Sequence, residues 1–261
     1  MQIHVLASGS SGNATLFKSE DANILVDAGI SARRIKNALA EVNTAVEDLD
    51  GILITHEHSD HIKGLTTLMK KYRLPVYARP DTWRQMSSYR QTAPECCHYL
   101  YQSMDFGPVK VEAFNTSHDA VDPVGYTFYE KERKYSLATD LGVVTDSVKK
   151  ALSGSSGLVL ETNHDLDMLR NGSYPWHLKR RILSDRGHLS NIEAGKTLAG
   201  LELDEQCQVF LAHISKENNR RDLAESTVAR ILSDEGIDIG KDIRLHVTLP
   251  DVITSWQEGK K

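Results

Sequence analysis

Cysteine is scarce in this chain: Cys96, Cys97 and Cys207 are the only three in 261 residues. The number is odd, two are adjacent, and no C-x-x-C spacing occurs. This excludes a disulfide-stapled small domain and a cysteine zinc site, so the thiols read as reduced and incidental. Long apolar runs are missing as well, and no segment has the roughly 20 residues that a membrane span needs. The opening residues, "MQIHVLASGS", lack a basic region followed by an apolar one. The expectation is a cytoplasmic protein with no signal peptide and no membrane partner. Positive charge is not in excess either: 31 basic and 36 acidic residues leave a formal net charge of −5. A protein that coats nucleic acid normally carries a basic face, so a polyanion would have to be held by a local groove. Basic clusters do exist, such as Lys179, Arg180 and Arg181, though most such runs are solvated helix faces.

What is present is an ordinary globular composition, 40% apolar and 26% charged, in a chain long enough for one large α/β domain. Short β-branched runs at residues 3–7, 15–17, 24–27 and 52–55 read as strands bounded by turn residues. Ser31 is placed to cap a helix over 34–42, with Ile35, Leu39 and Val42 on one side. Further helices are expected at 65–72 and 81–89, with a strand at 76–78. Strands follow at 109–115, 124–130 and 134–138, then a helix at 145–152 and a buried strand at 158–161. Helices at 178–183, 190–201 and 223–235 alternate with strands at 209–212 and, last, 245–248. Ser190 and Glu193 form a capping box for the helix that follows them. With no low-complexity tract, long linker or repeat, residues 1–261 read as one domain. Strands "ILIT" and "VFLA" each end on a histidine, His56 and His213. Two packed sheets would bring both strand ends to one edge.

The segment "GILITHEHSDHIKG" concentrates the chemistry. A buried strand ends in six residues, 56–61, that hold three histidines, two acids and a serine. In an extended chain residues two apart point the same way, so His56 and His58 can converge while Asp60 and His61 turn toward a neighbouring point. Burying so many polar groups without compensation is costly, and imidazole with carboxylate is the ligand set that suits zinc, manganese or iron. Four local ligands cannot close two metal sites. His118, Asp140 and His213, each at a strand-to-loop junction, complete the set.

His-x-His-x-Asp-His followed by His, Asp and His resembles the metallo-β-lactamase superfamily, which implies an α/β fold, a four-layer αβ/βα sandwich. The resemblance implies that His56, His58 and His118 hold one divalent ion, that Asp60, His61 and His213 hold a second, and that Asp140 bridges them. Asp27, with Thr55, is implied to orient the ligands from outside. Zinc and manganese are both compatible. Antibiotic-hydrolysing branches carry a cysteine where Asp140 stands, flavodiiron proteins replace one histidine by glutamate, and β-CASP nucleases need a longer insertion between Asp140 and His213. Glyoxalase II shares the seven ligands, so hydrolysis of a small ester or thioester stays open. The segments "LASGSSGNAT", "ETNHD", "YPWHLKRRILSDRGHLSN" and "LAHISKENN" resemble the WalJ (YycJ) family of bacterial metallo-hydrolases. That resemblance implies a 5′-to-3′ exonuclease on double-stranded DNA.

The expected reaction is metal-assisted phosphodiester hydrolysis, with Asp60, Asp140 and His188 as the candidate catalytic groups. "GHLSN" resembles the His-Ser/Thr motif of ribonuclease Z, and imidazole chemistry suits a proton donor to the leaving oxygen. Substrate contacts are expected from Ser8, Ser10 and Asn13, whose glycine-rich run can expose backbone amides, and from His164, Lys179, Arg180 and His188.

Overall fold

Apolar runs bounded by Gly, Ser, Asn and Asp become strands, and the segments of helical period between them become helices. The computed structural model describes residues 1–257. The chain opens with β1 (Gln2–Ala7), β2 (Ala14–Lys18), β3 (Asn23–Val26), α1 (Ala32–Glu41) and β4 (Gly51–Leu53). It continues through α2 (Ser59–Ile62), α3 (Leu65–Tyr72), β5 (Val76–Ala78), α4 (Pro80–Gln85), α5 (Ser87–Thr92), β6 (Cys97–Tyr99) and β7 (Ser103–Phe106). Next come β8 (Val109–Asn115), β9 (Val124–Glu130), β10 (Arg133–Ala138), α6 (Asp146–Leu152), β11 (Gly157–Glu161), α7 (Leu166–Asn171) and α8 (Trp176–Ile182). The remainder is α9 (Asn191–Ala199), β12 (Cys207–Ala212), α10 (Arg221–Asp234), β13 (Ile243–Val247) and β14 (Thr254–Gln257).

The strands form two seven-stranded mixed sheets, ordered β14-β1-β2-β3-β4-β5-β6 and β13-β12-β11-β10-β9-β8-β7. In the first, β3 to β6 run parallel, whereas β14, β1 and β2 alternate in direction. In the second, β10 to β13 are parallel. Contacts divide the chain into two compact units. One comprises Met1–Ala113, Ala120–Val124 and the segment from Leu249; the other comprises Phe114–Asp119 and Gly125–Thr248.

Each unit has its own core. In the first, Leu25 and Ile52 from the sheet are buried with Ile35 and Leu39 of α1 and Leu65 and Leu68 of α3. In the second, Leu158, Leu160, Val209 and Leu211 are buried with Leu198 of α9 and Val228 and Leu232 of α10. Burying each such side chain stabilises the fold by about 1.5–3 kcal/mol. All five residues of β11 are buried, as expected of a parallel strand covered on both faces. The caps follow the sequence: Ser31 accepts from the Arg34 amide, and Ser190 and Glu193 form the expected box.

Several expectations need correction. The helix expected over 81–89 is two short helices, broken where Met86 leaves helical geometry ahead of two serines, which are weak helix formers. The expected last strand at 245–248 is β13, and β14 follows it to pair with β1 across the whole length of the chain. The segment after Leu53 is not extended strand. His58 instead caps the one-turn helix α2, so His61 is delivered by a helical turn.

Candidate metal centre

In the first unit, parallel strands β3 and β4 end side by side, and the residues that follow them carry the cluster. Asp27, immediately after β3, has a left-handed backbone, φ 62°. Its carboxylate is buried and fully used. Oδ1 accepts from the Thr55 amide at 2.9 Å, and Oδ2 accepts from the Thr55 hydroxyl at 2.9 Å and from His61 Nδ1 at 2.7 Å. Burial pushes the Asp27 pKa up, while the His61 and Thr55 partners oppose that shift. The Thr55 oxygen also lies 3.0 Å from His56 Nδ1. Asp27 and Thr55 thus hold the Nδ1 side of two rings, which leaves Nε2 as the coordinating atom. The rings of His56 and His58 lie 4.5 Å apart, those of His56 and His61 4.1 Å, and Asp60 Oδ2 is 3.5 Å from His61 Nε2. The four ligands predicted from "HEHSDH" therefore converge.

The glycine-serine run supports this loop from behind. Asn13 is buried; its amide nitrogen donates to Asp60 O, its carbonyl accepts from Gly29 N, and its side-chain oxygen accepts from Gly9 N. Asn13 Nδ2 lies 3.2 Å from His61 Nε2. A Cβ on Gly29 would fall 1.6 Å from Asp60 O, so only glycine fits there. Of the three residues of this run predicted to touch substrate, Asn13 and Ser8 are buried and Asn13 braces the Asp60 loop, while Ser10 is exposed.

In the second unit, the ends of parallel strands β10, β11 and β12 carry Asp140, Glu161 and His213. Asp140 and His213 also have left-handed backbones, φ 59° and 55°. Glu161 is the hub. Its Oε1 accepts from His188 Nδ1 and from His213 Nδ1, each at 2.8 Å, and its Oε2 accepts from the Leu141 and Leu189 amides at 2.9 and 3.2 Å. Burial pushes this carboxyl up, but the two histidines outweigh burial and hold it well below the usual range. His118 follows the same rule, its Nδ1 lying 3.1 Å from Gly187 O. The Nε2 atoms of His118 and His213 lie 3.7 and 3.6 Å from Asp140 Oδ1. Asp140, Glu161, His188 and His213 offer donor atoms all within 4.8 Å of one another. Three Nδ1 atoms anchored on carbonyl or carboxylate oxygen, with Nε2 left over, is the arrangement that orients histidines toward a metal.

The sequence reading missed Glu161, which ends an apolar strand and has partners 20 to 52 residues away. It also missed Asn163, whose amide holds His213 O at 2.8 Å. A carboxylate at the end of an otherwise fully apolar strand was the available signal. Two further residues predicted to touch substrate are buried. His164 is 1% exposed, and burial lowers its pKa to about 4. Lys179 is buried, and its ammonium is spent on the carbonyls of Arg170 and Gly172 at 2.8 and 2.7 Å. Arg180 is exposed, and His188 is partly open to solvent.

Similarity to known proteins agrees with this geometry. The β-lactamase superfamily domain matches residues 22–214. The chain is 41% identical to exodeoxyribonuclease YycJ of Bacillus anthracis over 98% of both chains. It is 40% identical to exodeoxyribonuclease WalJ of Streptococcus pneumoniae over 97% of this chain and 96% of the other. The crystal structure of the metallo-β-lactamase fold protein YhfI from Bacillus subtilis superposes with a TM-score of 0.73, covering 98% of this chain and 99% of that one, at 18% identity. That likeness speaks for the fold alone. Ligand order, strand-end geometry and full-length similarity lead to one conclusion: the chain is a member of the metallo-β-lactamase superfamily and, within it, of the family of the YycJ and WalJ proteins.

Proposed function

We propose that this protein is a metal-dependent exonuclease of the cytoplasm that hydrolyses phosphodiester bonds of double-stranded DNA from the 5′ end. The observation that carries the reading is the pair of histidine-carboxylate clusters, in which outside oxygen atoms hold ligand Nδ1 atoms and leave Nε2 for a cation. The names of the full-length relatives favour DNA over a small thioester.

In this reading His56, His58 and His118 would hold one divalent ion, Asp60, His61 and His213 would hold a second, and Asp140 would serve both. Such ions, zinc or manganese, supply electrophilic stabilisation of phosphate oxygens and activation of water for in-line attack. The remaining steps belong to the protein. Asp27 and Thr55 keep His56 and His61 in one tautomer. Glu161 accepts from His188 Nδ1, so a proton carried at His188 Nε2 is the one available to the departing oxygen. Because the same carboxylate oxygen holds His213, the proton donor and a metal ligand are fixed to a single support.

Assay of the purified protein with manganese or zinc on 5′-phosphorylated duplex DNA, single strands, RNA and a thioester tests the reading. Shortening of the duplex from its 5′ end is expected. Thioester turnover without action on DNA would overturn it.

A further inference from the structure

Helix α8 has two faces of opposite character. Lys179 and Ile182 are buried, whereas Trp176, Arg180 and Leu183, spaced i, i+4 and i+7, share an outward face. Trp176 is 64% exposed, and among the described residues no large apolar side chain is more exposed. A tryptophan carries about 150–250 Å² of surface that is normally buried, so its exposure on an ordered helix needs a reason. Arg180 beside it makes no hydrogen bond or ion pair among the described residues. The stretch from Tyr174 to Ser190 holds four basic residues, Lys179, Arg180, Arg181 and Arg186, against one acid, Asp185. It is therefore basic within a chain whose net charge is −5.

The same helix is tied to the candidate centre within its own unit. Ile182 O accepts from the His188 amide at 3.1 Å. Arg181 pairs with Asp119, the residue after His118, and Arg186 Nε donates to His118 O at 3.1 Å. Gly187 packs so closely that a Cβ would fall 2.1 Å from Ile182 O. A helix of this length spans about 9–10 Å, so Trp176 stands one to two nucleotides' reach from the residues that hold His188.

We propose that the outer face of α8 is a platform for an unpaired nucleotide of the substrate, with the base stacked on Trp176 and the adjoining phosphate held by Arg180. This rests on the nuclease reading above and adds to it the form of nucleic acid recognised. A base inside a duplex has both faces covered by its neighbours. Apart from the outer face of a terminal pair, stacking on the indole therefore takes a base released from its helix, and overhang and blunt duplexes separate the two. Arg180 supplies the charge that such a strand needs, and sequence-tolerant binding follows because every base has an aromatic face.

The test is fluorescence anisotropy with the metal-loaded protein and phosphorothioate DNA that resists cleavage, as a duplex with a single-stranded overhang and as a blunt duplex. Trp176→Ala is expected to weaken binding to the overhang duplex about tenfold to a hundredfold, the range typical of one lost stacking contact. Trp176→Phe should restore most of that binding. Arg180→Ala should lower the slope of log Kd against log salt by about one. Equal affinity of wild type and Trp176→Ala for the overhang duplex would overturn the proposal, as would an equal loss on the blunt duplex. If the wild-type protein binds neither DNA, the nuclease reading itself fails, an outcome distinct from unchanged binding by the variant.

Discussion

Glu161 shows how much one side chain can hold. Two imidazole N–H groups and two backbone amides all point at its carboxylate. Glutamine at that position has one acceptor oxygen and two unwanted hydrogens, so at least two donors lose their partner in a buried place. Each such loss costs about 1–3 kcal/mol. Glu161→Gln is therefore expected to lower unfolding stability by about 2–6 kcal/mol in a denaturant titration. It should also reduce phosphodiester hydrolysis or metal affinity by about 10–100-fold, because His213 and His188 lose their orientation. Unchanged stability and turnover would contradict the hub role. The residues that would touch the ions were legible in the sequence because "HEHSDH" is dense and its distant partners follow strands. Of their supports, Asp27 and Thr55 came only through the family resemblance, and Glu161 was missed, because it reaches Leu141, His188 and His213 only after the chain has folded.

At the scale of elements, the recurring device is a parallel strand that ends in a left-handed residue. Asp27 after β3, Asp140 after β10 and His213 after β12 all adopt φ between 55° and 62°. Non-glycine residues disfavour this region by about 1 kcal/mol or more, and at all three positions the turn sends the side chain into a cluster. Local patterning read these strands correctly but not the turns after them, because a left-handed aspartate or histidine has no sequence signature. Where no site is served, the same conformation is a removable cost. Arg73 ends α3 at φ 51° and ψ 35°, and its side chain forms an exposed ion pair with Glu95. Arg73→Gly should stabilise the protein by about 0.5–1 kcal/mol, seen as a higher thermal midpoint. A lower midpoint would show that the exposed pair outweighs the backbone. By contrast, Gly29→Ala must displace the Asp60 carbonyl, and loss of bound metal together with stability is the expected result.

For the whole molecule, buried neutral histidines set the response to acid. Burial, aided by Lys18, lowers the His4 pKa from 6.5 to about 4, and burial does the same to His164. His246 is lowered as well, by burial and by Arg244. The unfolded chain therefore takes up these protons first. Stability is fully present above pH 6.5, falls as the pH drops toward 4, and loses little more from these groups below that. A shift of this size is worth up to about 3 kcal/mol per group, less where solvent screens it. Chemical denaturation at pH 7 and pH 4.5 should show the loss, and His4→Gln should recover part of it. A flat profile would contradict the assignment. The α/β alternation made the fold class legible, whereas β14 was not, since its partner β1 lies at the far end of the sequence. The central claim is that the two histidine clusters serve a pair of cations, and anomalous diffraction from a manganese-soaked crystal tests it most directly. Two peaks about 3.5–4 Å apart, one beside His56, His58 and His118 and the other beside Asp60, His61 and His213, are predicted. Full occupancy elsewhere, or no anomalous signal beside these residues, would contradict it.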